Sequence, residues 1–144
     1  MQEEKTYYSL EDARKLIPFV GKKLRRLQKL NAEISVMNAF HINFKGDSIE
    51  NRLKAIELNK NYHKAMHAFY SGLEDITSKG LVIKDFDQGL VDFYSKMDGQ
   101  DIFLCWKLGE KTIDHWHTVE TGYSSRQPVR ILREQYEKKL KELL

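Results

Sequence analysis

The chain has 144 residues, of which 41% are hydrophobic and 31% charged, and its formal net charge is +3. These values are ordinary for a globular domain, and so small a net charge gives no general affinity for polyanions. The single cysteine, Cys105, excludes an internal disulfide and any metal site made of several cysteines. Because the amino terminus lacks a signal-peptide core and no apolar run could span a membrane, we predict a cytoplasmic protein with no membrane association.

The first half of the chain predicts two long helices. Ser9 with Asp12 resembles a capping box, and a heptad-like apolar stripe follows it. That stripe comprises Leu10, Ala13, Ile17, Val20, Leu24, Leu27 and Ile34. A second stripe begins after Ser48 and ends near Gly80, where glycine suits the end of a helix. Together the stripes predict an antiparallel helical hairpin over about residues 9–79, with a loop at 41–46.

The stretch from Gly89 to Pro128 predicts a small antiparallel β-meander. It contains three alternating runs, at 90–94, 102–108 and 113–119, and both tryptophans of the chain, Trp106 and Trp116. The dipeptide Asp98-Gly99 between the first two runs is a strong hairpin signal. We place the meander over about residues 81–119 and a loop and C-terminal helix over 120–144.

These elements predict an α+β fold in a single domain over residues 1–144. In it, the long antiparallel helical hairpin packs on one face of the small β-meander, and a C-terminal helix follows. Trp106 and Trp116 lie at alternating positions of neighbouring strands, so both are expected to face the helices.

His115 and His117 are the first candidates for metal ligands. Residues two apart on a strand face the same side, so both imidazoles can reach one divalent ion, and Glu120 can add an oxygen ligand. The alternative is an exposed sheet face that happens to carry two histidines. His63 and His67 are one helical turn apart and also permit joint ligation, but the glutamate of the metalloprotease pattern is missing.

Tyr123 and Arg126 precede Pro128, which suits the first turn of a helix. An arginine at that place can bind a carboxylate or phosphate, and the helix amino terminus favours an anion, so a small anionic ligand is one expected partner. The alternative is an internal lock in which Arg126 pairs with Asp92 or Glu110. Asp92 lies within an apolar run and needs such a partner if it is buried.

Two other classes of function find little support. A basic run lies on the first helix, but no nucleic-acid motif or aromatic platform accompanies it, so we do not expect nucleic-acid binding. The run consists of Lys22, Lys23, Arg25, Arg26 and Lys29. No phosphate-binding, dinucleotide-binding or serine-nucleophile motif occurs, and Cys105 reads as a small buried residue rather than an activated thiol.

Several short motifs together resemble a bacterial family known as domain of unknown function 2203. They are Gly89-Leu90-Val91-Asp92-Phe93, Leu104-Cys105-Trp106-Lys107-Leu108-Gly109-Glu110, Trp116-His117, Gly122-Tyr123 with Arg126-x-Pro128, and the opening Leu10-Glu11-Asp12-Ala13 with Leu16-Ile17-Pro18. The likeness covers about residues 7–129. An aromatic residue is usual in the family at the position of His115, which favours His117 as the better single metal candidate. The family has no assigned activity, so the resemblance implies a fold and a set of residues, not a reaction.

Two function classes therefore stay open. The one we favour is a non-catalytic binding or scaffolding module that forms a homodimer through its helices, because their apolar stripes are wider than one partner helix needs. The other is a small metal- or anion-binding enzyme that uses Asp92, Glu110, His117 and Arg126. A pocket for an ion or anion between those four residues would favour the second class; an apolar helix interface would favour the first.

Overall fold

The computed structural model describes residues 4–41 and 48–143, apart from the side chains of Phe40, His41, Arg133, Gln135 and Tyr136. Its elements are α1 (Leu10–His41), α2 (Ile49–Thr77), β1 (Val82–Asp85), β2 (Leu90–Met97), β3 (Gln100–Lys107), β4 (His115–Thr118), β5 (Gln127–Pro128) and α3 (Val129–Leu143). Two long helices, a five-stranded antiparallel sheet and a C-terminal helix confirm the predicted α+β class. Most of the predicted loop between the helices lies outside the described residues.

The chain forms two compact units, and the boundary between them falls within α1. The first unit consists of Met1–Gly21 and Thr77–Leu144 and contains the sheet and α3, whereas the second is Lys22–Ile76. The single domain over residues 1–144 stays a prediction. Within the described ranges, no helix combines the length and the apolar character that crossing a membrane requires.

In the second unit, α1 and α2 form the predicted hairpin and approach each other closely at Gly72. A Cβ atom added there would lie 2.7 Å from Cδ2 of Leu27, so only glycine lets the two helices come so near. Lys23 and Asp75 form an ion pair at 2.7 Å close to this contact. At the start of α2 the Asn51 N–H donates to Ser48 Oγ at 3.1 Å, which caps the helix.

In the first unit, the turn between β2 and β3 sets the register of the sheet. Asp98 and Gly99 have φ angles of 56° and 77°, as a two-residue type I′ hairpin requires. Met97 therefore pairs with Gln100, and counting back along both strands puts Asp92 opposite Cys105. The complete strand order is β1-β2-β3-β4-β5, with every neighbouring pair antiparallel.

The first face of the sheet is apolar and packs against the beginning of α1. Its buried side chains include Val91, Phe93, Ile102, Leu104, Trp106 and Trp116. A Cβ atom added to Gly21 would lie 3.5 Å from the Trp106 ring, which shows how closely the helix approaches. The register also pairs Trp116 with Leu104, so both tryptophans lie on this helix-facing side, as the alternation predicts.

The C-terminal part of the sheet differs from the prediction in one detail. Pro128 does not begin the last helix; together with Gln127 it forms the short strand β5, in which it pairs with His115. The helix starts one residue later, at Val129, whose N–H donates to the Asp114 carbonyl at 2.9 Å. A proline can occupy this position because an edge strand does not need its missing N–H.

Candidate functional site

Three polar side chains lie together on the second face of the sheet. Asp92 on β2 is opposite Cys105 on β3, and His117 on β4 lies beside them on the same face. Their exposed fractions are only 1%, 2% and 2%. One carboxylate oxygen, the thiol sulfur and one ring nitrogen all lie within 4.8 Å of one another. We call these three residues the polar cluster.

The two hydrogen bonds of His117 fix where its protons are. Its Nδ1 lies 2.8 Å from the Thr118 carbonyl oxygen, and its Nε2 lies 3.0 Å from Oδ2 of Asp92. A carbonyl oxygen can only accept, so Nδ1 carries a hydrogen and donates it. The contact between Nε2 and Oδ2 therefore holds a single proton, whether the pair is carboxylic acid with imidazole or carboxylate with imidazolium.

Burial makes the other polar atoms of the cluster costly to ionise. It raises the pKa of the Asp92 carboxyl above its ordinary value, although His117 and Lys84 act in the opposite direction. Oδ1 of the same carboxyl is buried and has no hydrogen-bond partner. Burial, followed by the charge of Asp92, raises the pKa of the Cys105 thiol to about 12. In the absence of a metal the thiol is therefore protonated near neutral pH and is not a nucleophile.

A second group of side chains adjoins the cluster on its Cys105 side. Arg126 Nη1 donates to Oε1 and Oε2 of Glu110 at 3.0 and 3.2 Å, and its guanidinium carbon lies 4.2 Å from the centroid of the Tyr123 ring. Arg126 acts on the Cys105 thiol as well, where its charge lowers the pKa against the effect of burial. Of the two partners considered for Arg126, Asp92 and Glu110, the structure pairs it with Glu110. We call Glu110, Tyr123 and Arg126 the arginine network.

The turn after β3 holds Glu110 in place for this pairing. The Lys107 N–H donates to Glu110 Oε1 at 2.7 Å, and the Glu110 carbonyl accepts from Nε1 of Trp106 at 3.0 Å. Gly109 has a φ of 103°, a conformation that side-chain-bearing residues rarely adopt. The carboxylate is therefore positioned by the backbone and by a core tryptophan before Arg126 binds it.

Of the predicted metal candidates, the structure brings one into the polar cluster and leaves the others outside it. His117 belongs to the polar cluster, but His115 lies outside it, with Nδ1 3.7 Å from Oε2 of Glu110. Glu120 is exposed after the end of β4. His63 and His67 are exposed on α2, in the other unit of the chain.

With this geometry in view, the chain matches the family model described as "Uncharacterized conserved protein (DUF2203)" over residues 6–129. The chain belongs to the DUF2203 family. No curated protein and no solved structure matches it significantly. The matched range contains the whole polar cluster and the arginine network, whereas nearly all of α3 lies beyond it. The motifs from Gly89 onward that carry the DUF2203 resemblance thus meet in or beside the sheet, whereas the two opening motifs lie on α1.

Sequence reasoning missed Cys105 as a member of the polar cluster, although a signal was present. A two-residue turn at Asp98-Gly99 pairs positions whose numbers are symmetric about it, and this places Asp92 directly opposite Cys105. The thiol looked like core because it lies in an apolar strand. The position of His117 could not be found in the same way, because a longer connection joins β3 to β4 and leaves their register open.

The polar cluster offers one oxygen, one sulfur and one nitrogen donor, a mixed set that suits zinc and similar transition metals. The Thr118 carbonyl orients the His117 ring through Nδ1, as backbone carbonyls commonly do for metal-binding histidines. Within residues 4–41 and 48–143, no other group of three such side chains brings its ligand atoms this close.

Proposed function

We propose that this DUF2203 protein binds one divalent transition-metal ion of the zinc class at the polar cluster. The observation that carries the proposal is the buried convergence of three different ligand atoms within 4.8 Å. The ligands would be a carboxylate oxygen of Asp92, the thiolate of Cys105 and Nε2 of His117. Three protein ligands leave one position of a tetrahedral ion for water or a small anion.

Metal binding would require the cluster to lose about two protons. One is the thiol proton of Cys105, and the other is the proton held between Asp92 and His117. The guanidinium of Arg126 favours the thiolate form. It therefore assists the loss of the thiol proton, which burial and the charge of Asp92 oppose. Affinity for the metal should accordingly rise with pH.

A purely structural cluster is the competing explanation, since a buried carboxylate and imidazole can simply satisfy each other. That explanation leaves Oδ1 of Asp92 unpaired, and an unpaired buried oxygen is unusual in a folded protein. In that explanation Cys105 is a hydrogen-bond partner of Asp92, and the convergence of all three ligand atoms within 4.8 Å is incidental. A metal ion supplies an electrostatic partner for the carboxylate and the thiol together.

The proposal also bears on the setting in which the protein works. Cys105 must be a free thiol to bind a metal, and the chain offers no second cysteine with which to pair. A reducing, cytoplasmic compartment is the setting that preserves such a thiol.

The test is a zinc titration of protein purified without a histidine tag, in competition with a chromophoric chelator. We expect one ion per chain, and zinc at a hundred times its Kd should raise the free energy of unfolding by about 2.7 kcal/mol. Cys105→Ala should lose the site, whereas His115→Ala should keep it because His115 lies outside the cluster. A His63→Ala/His67→Ala double variant controls for ions bound on α2. Equal affinity in wild type and Cys105→Ala would contradict the proposal.

A homodimer formed through α2 is a second candidate, favoured by a separate observation. Ile49, Leu53 and Ile56 are 76%, 61% and 54% exposed, and Tyr70 is 60% exposed. Successive residues of an α-helix are rotated by 100° about its axis. The four residues therefore lie on the side of α2 opposite Ala65, which is buried in the helix pair. Ile49, Leu53 and Ile56 are spaced as in a coiled-coil seam, and Tyr70 lies two heptads after Ile56. The seam positions between them are the polar Lys60, His63 and His67.

The occupant we propose for this seam is an antiparallel second copy of α2. Such a copy would bring Glu57 of each chain near Lys64 of the other, so the flanking charges are self-complementary. Light scattering at tens of micromolar should give a dimer, which Ile56→Glu converts to a monomer. Asn61→Glu adds the same charge at an exposed position off the stripe and should leave the dimer intact. A monomeric wild type would contradict this candidate.

A further inference from the structure

A separate groove of about 1100 Å³ lies in the first unit, away from the polar cluster. Its walls come from the start of α1, the ends of β2 and β3, and α3. Its apolar lining consists of Leu10, Met97, Ile102, Leu104, Val129 and Leu132. The volume is at the upper end of what small-molecule sites have. The groove thus offers a long apolar surface on the helix-facing side of the sheet.

One polar group interrupts the apolar lining. Ser95 is only 9% exposed, and its side chain lines the groove. Its hydroxyl is therefore a donor that a molecule bound in the groove can use.

The rim of the groove is positively charged. Arg14, Lys15, Lys96 and Lys139 line it, against the acidic Glu11 and Asp98. Lys139 is paired with Asp98, and Arg14 donates to the Ile113 carbonyl at 2.9 and 3.1 Å.

The two remaining lysines are the ones available to a ligand. Lys15 lies 3.7 Å from Glu11 and 3.9 Å from Asp12, Lys96 lies 4.0 Å from Asp101, and both lysine side chains are more than half exposed. Such exposed pairs contribute little to stability and exchange readily. Either lysine can therefore turn to an anionic group without a large loss elsewhere.

We propose that the groove binds a free long-chain fatty acid. The apolar lining takes the hydrocarbon chain, the rim lysines attract the carboxylate, and the Ser95 hydroxyl is placed to donate to it. A neutral ligand would leave the positive rim unused, and a compact anion would leave the apolar lining uncovered. Only an anion with a long apolar body matches both features of the groove.

The first measurement is calorimetric titration of the full chain with straight-chain fatty acids of increasing length. We expect saturable binding that tightens about three- to fourfold for each added methylene until the groove is full, the value expected for burying a CH₂ group. The alcohol of the same chain length should bind more weakly, because it lacks the charge that the rim recognises. No saturable binding, or equal binding of acid and alcohol, would overturn the proposal.

Variants locate the binding within the groove. Leu132→Asp puts a negative charge on the lining and should abolish binding, whereas Leu140→Asp, on the same helix but outside the lining, should leave it within twofold. Lys15→Gln should weaken the acid and not the alcohol. Circular dichroism shows whether each variant is folded, and Ser95→Ala provides a milder test of the same site.

Other occupants would be detected in the same experiments. If Leu132→Asp left fatty-acid binding intact but changed the molar mass measured by light scattering, the groove would hold a second copy of the chain, and the proposal would be wrong. Binding to vesicles of anionic phospholipid without binding of the free acid would also overturn it, because the occupant would then be a membrane surface.

Discussion

The two faces of the sheet differ in the chemistry of their buried side chains: the first is almost entirely apolar, whereas on the second Asp92, Cys105 and His117 lie beside the apolar Phe103. Phe93 and Trp106 on the first face and Asp92 and Cys105 on the second are all 2% exposed or less. Burying a large apolar side chain stabilises the fold by about 1.5–3 kcal/mol, whereas burying a carboxyl group costs free energy unless it is paired. Packing accounts for the first face. Packing does not account for the second face, and for that reason we propose that it carries the function.

Truncation of the apolar face should have the largest effect on stability. Trp106→Ala removes a ring that is 2% exposed and packs close to Gly21. The loss should be about 3–5 kcal/mol, the usual range for a large aromatic core residue. Urea unfolding measures it, with Val36→Ala, at a side chain that is 55% exposed, as the control that should change little. A loss below about 1 kcal/mol would mean that this face is not the core.

Asp92 sharpens the comparison on the polar face. In metal-free protein near neutral pH, Asp92→Asn should cost less than about 1 kcal/mol, because its amide can donate to the unprotonated Nε2 of His117. Asp92→Ala leaves that nitrogen unpaired and should cost roughly 1–3 kcal/mol more. Both variants should lose the metal. Equal losses of stability in urea unfolding would show that the proton arrangement inferred from Thr118 is wrong.

The smallest expected effect on stability comes from the Cys105 thiol, and it is seen only at alkaline pH. Burial raises the thiol pKa from 9.0 to about 12, so the folded state favours the protonated thiol. That contribution is complete below pH 9 and is lost as the pH rises toward 12. Between pH 9 and pH 10, metal-free wild type should lose about 1 kcal/mol more than Cys105→Ala. Parallel curves for the two proteins would contradict a raised thiol pKa.

Local signals predicted most of the fold. The apolar stripes gave both long helices, and Asp98-Gly99 gave the hairpin because only residues that tolerate positive φ fit a type I′ turn. The strand β5 was not predicted, because a two-residue pairing leaves no periodicity to read. Pro128 was interpreted as the start of a helix because its partner in the sheet, His115, is distant in the sequence and no local pattern reveals the pairing.

The site was predictable only in part. Asp92 stood out as a charge in an apolar strand, and its partner His117 was among the groups considered for it. His115 was also a candidate, because alternation along β4 puts it on the same face as His117. Alternation cannot say, however, which side chains of the neighbouring strands each histidine will meet. His115 instead lies near Glu110. Cys105 escaped notice because an apolar neighbourhood suits both a core thiol and a buried metal ligand.

The absorption spectrum of the protein with Co²⁺ decides whether the polar cluster binds a metal, since cobalt can replace zinc and its bond to a thiolate produces a charge-transfer band. Wild type should show that band with one cobalt per chain, Cys105→Ala should lack it, and His115→Ala should retain it. Zinc should displace the cobalt and abolish the band. Cobalt bound without a thiolate band, or a band that persists in Cys105→Ala, would contradict a metal centre at Asp92, Cys105 and His117.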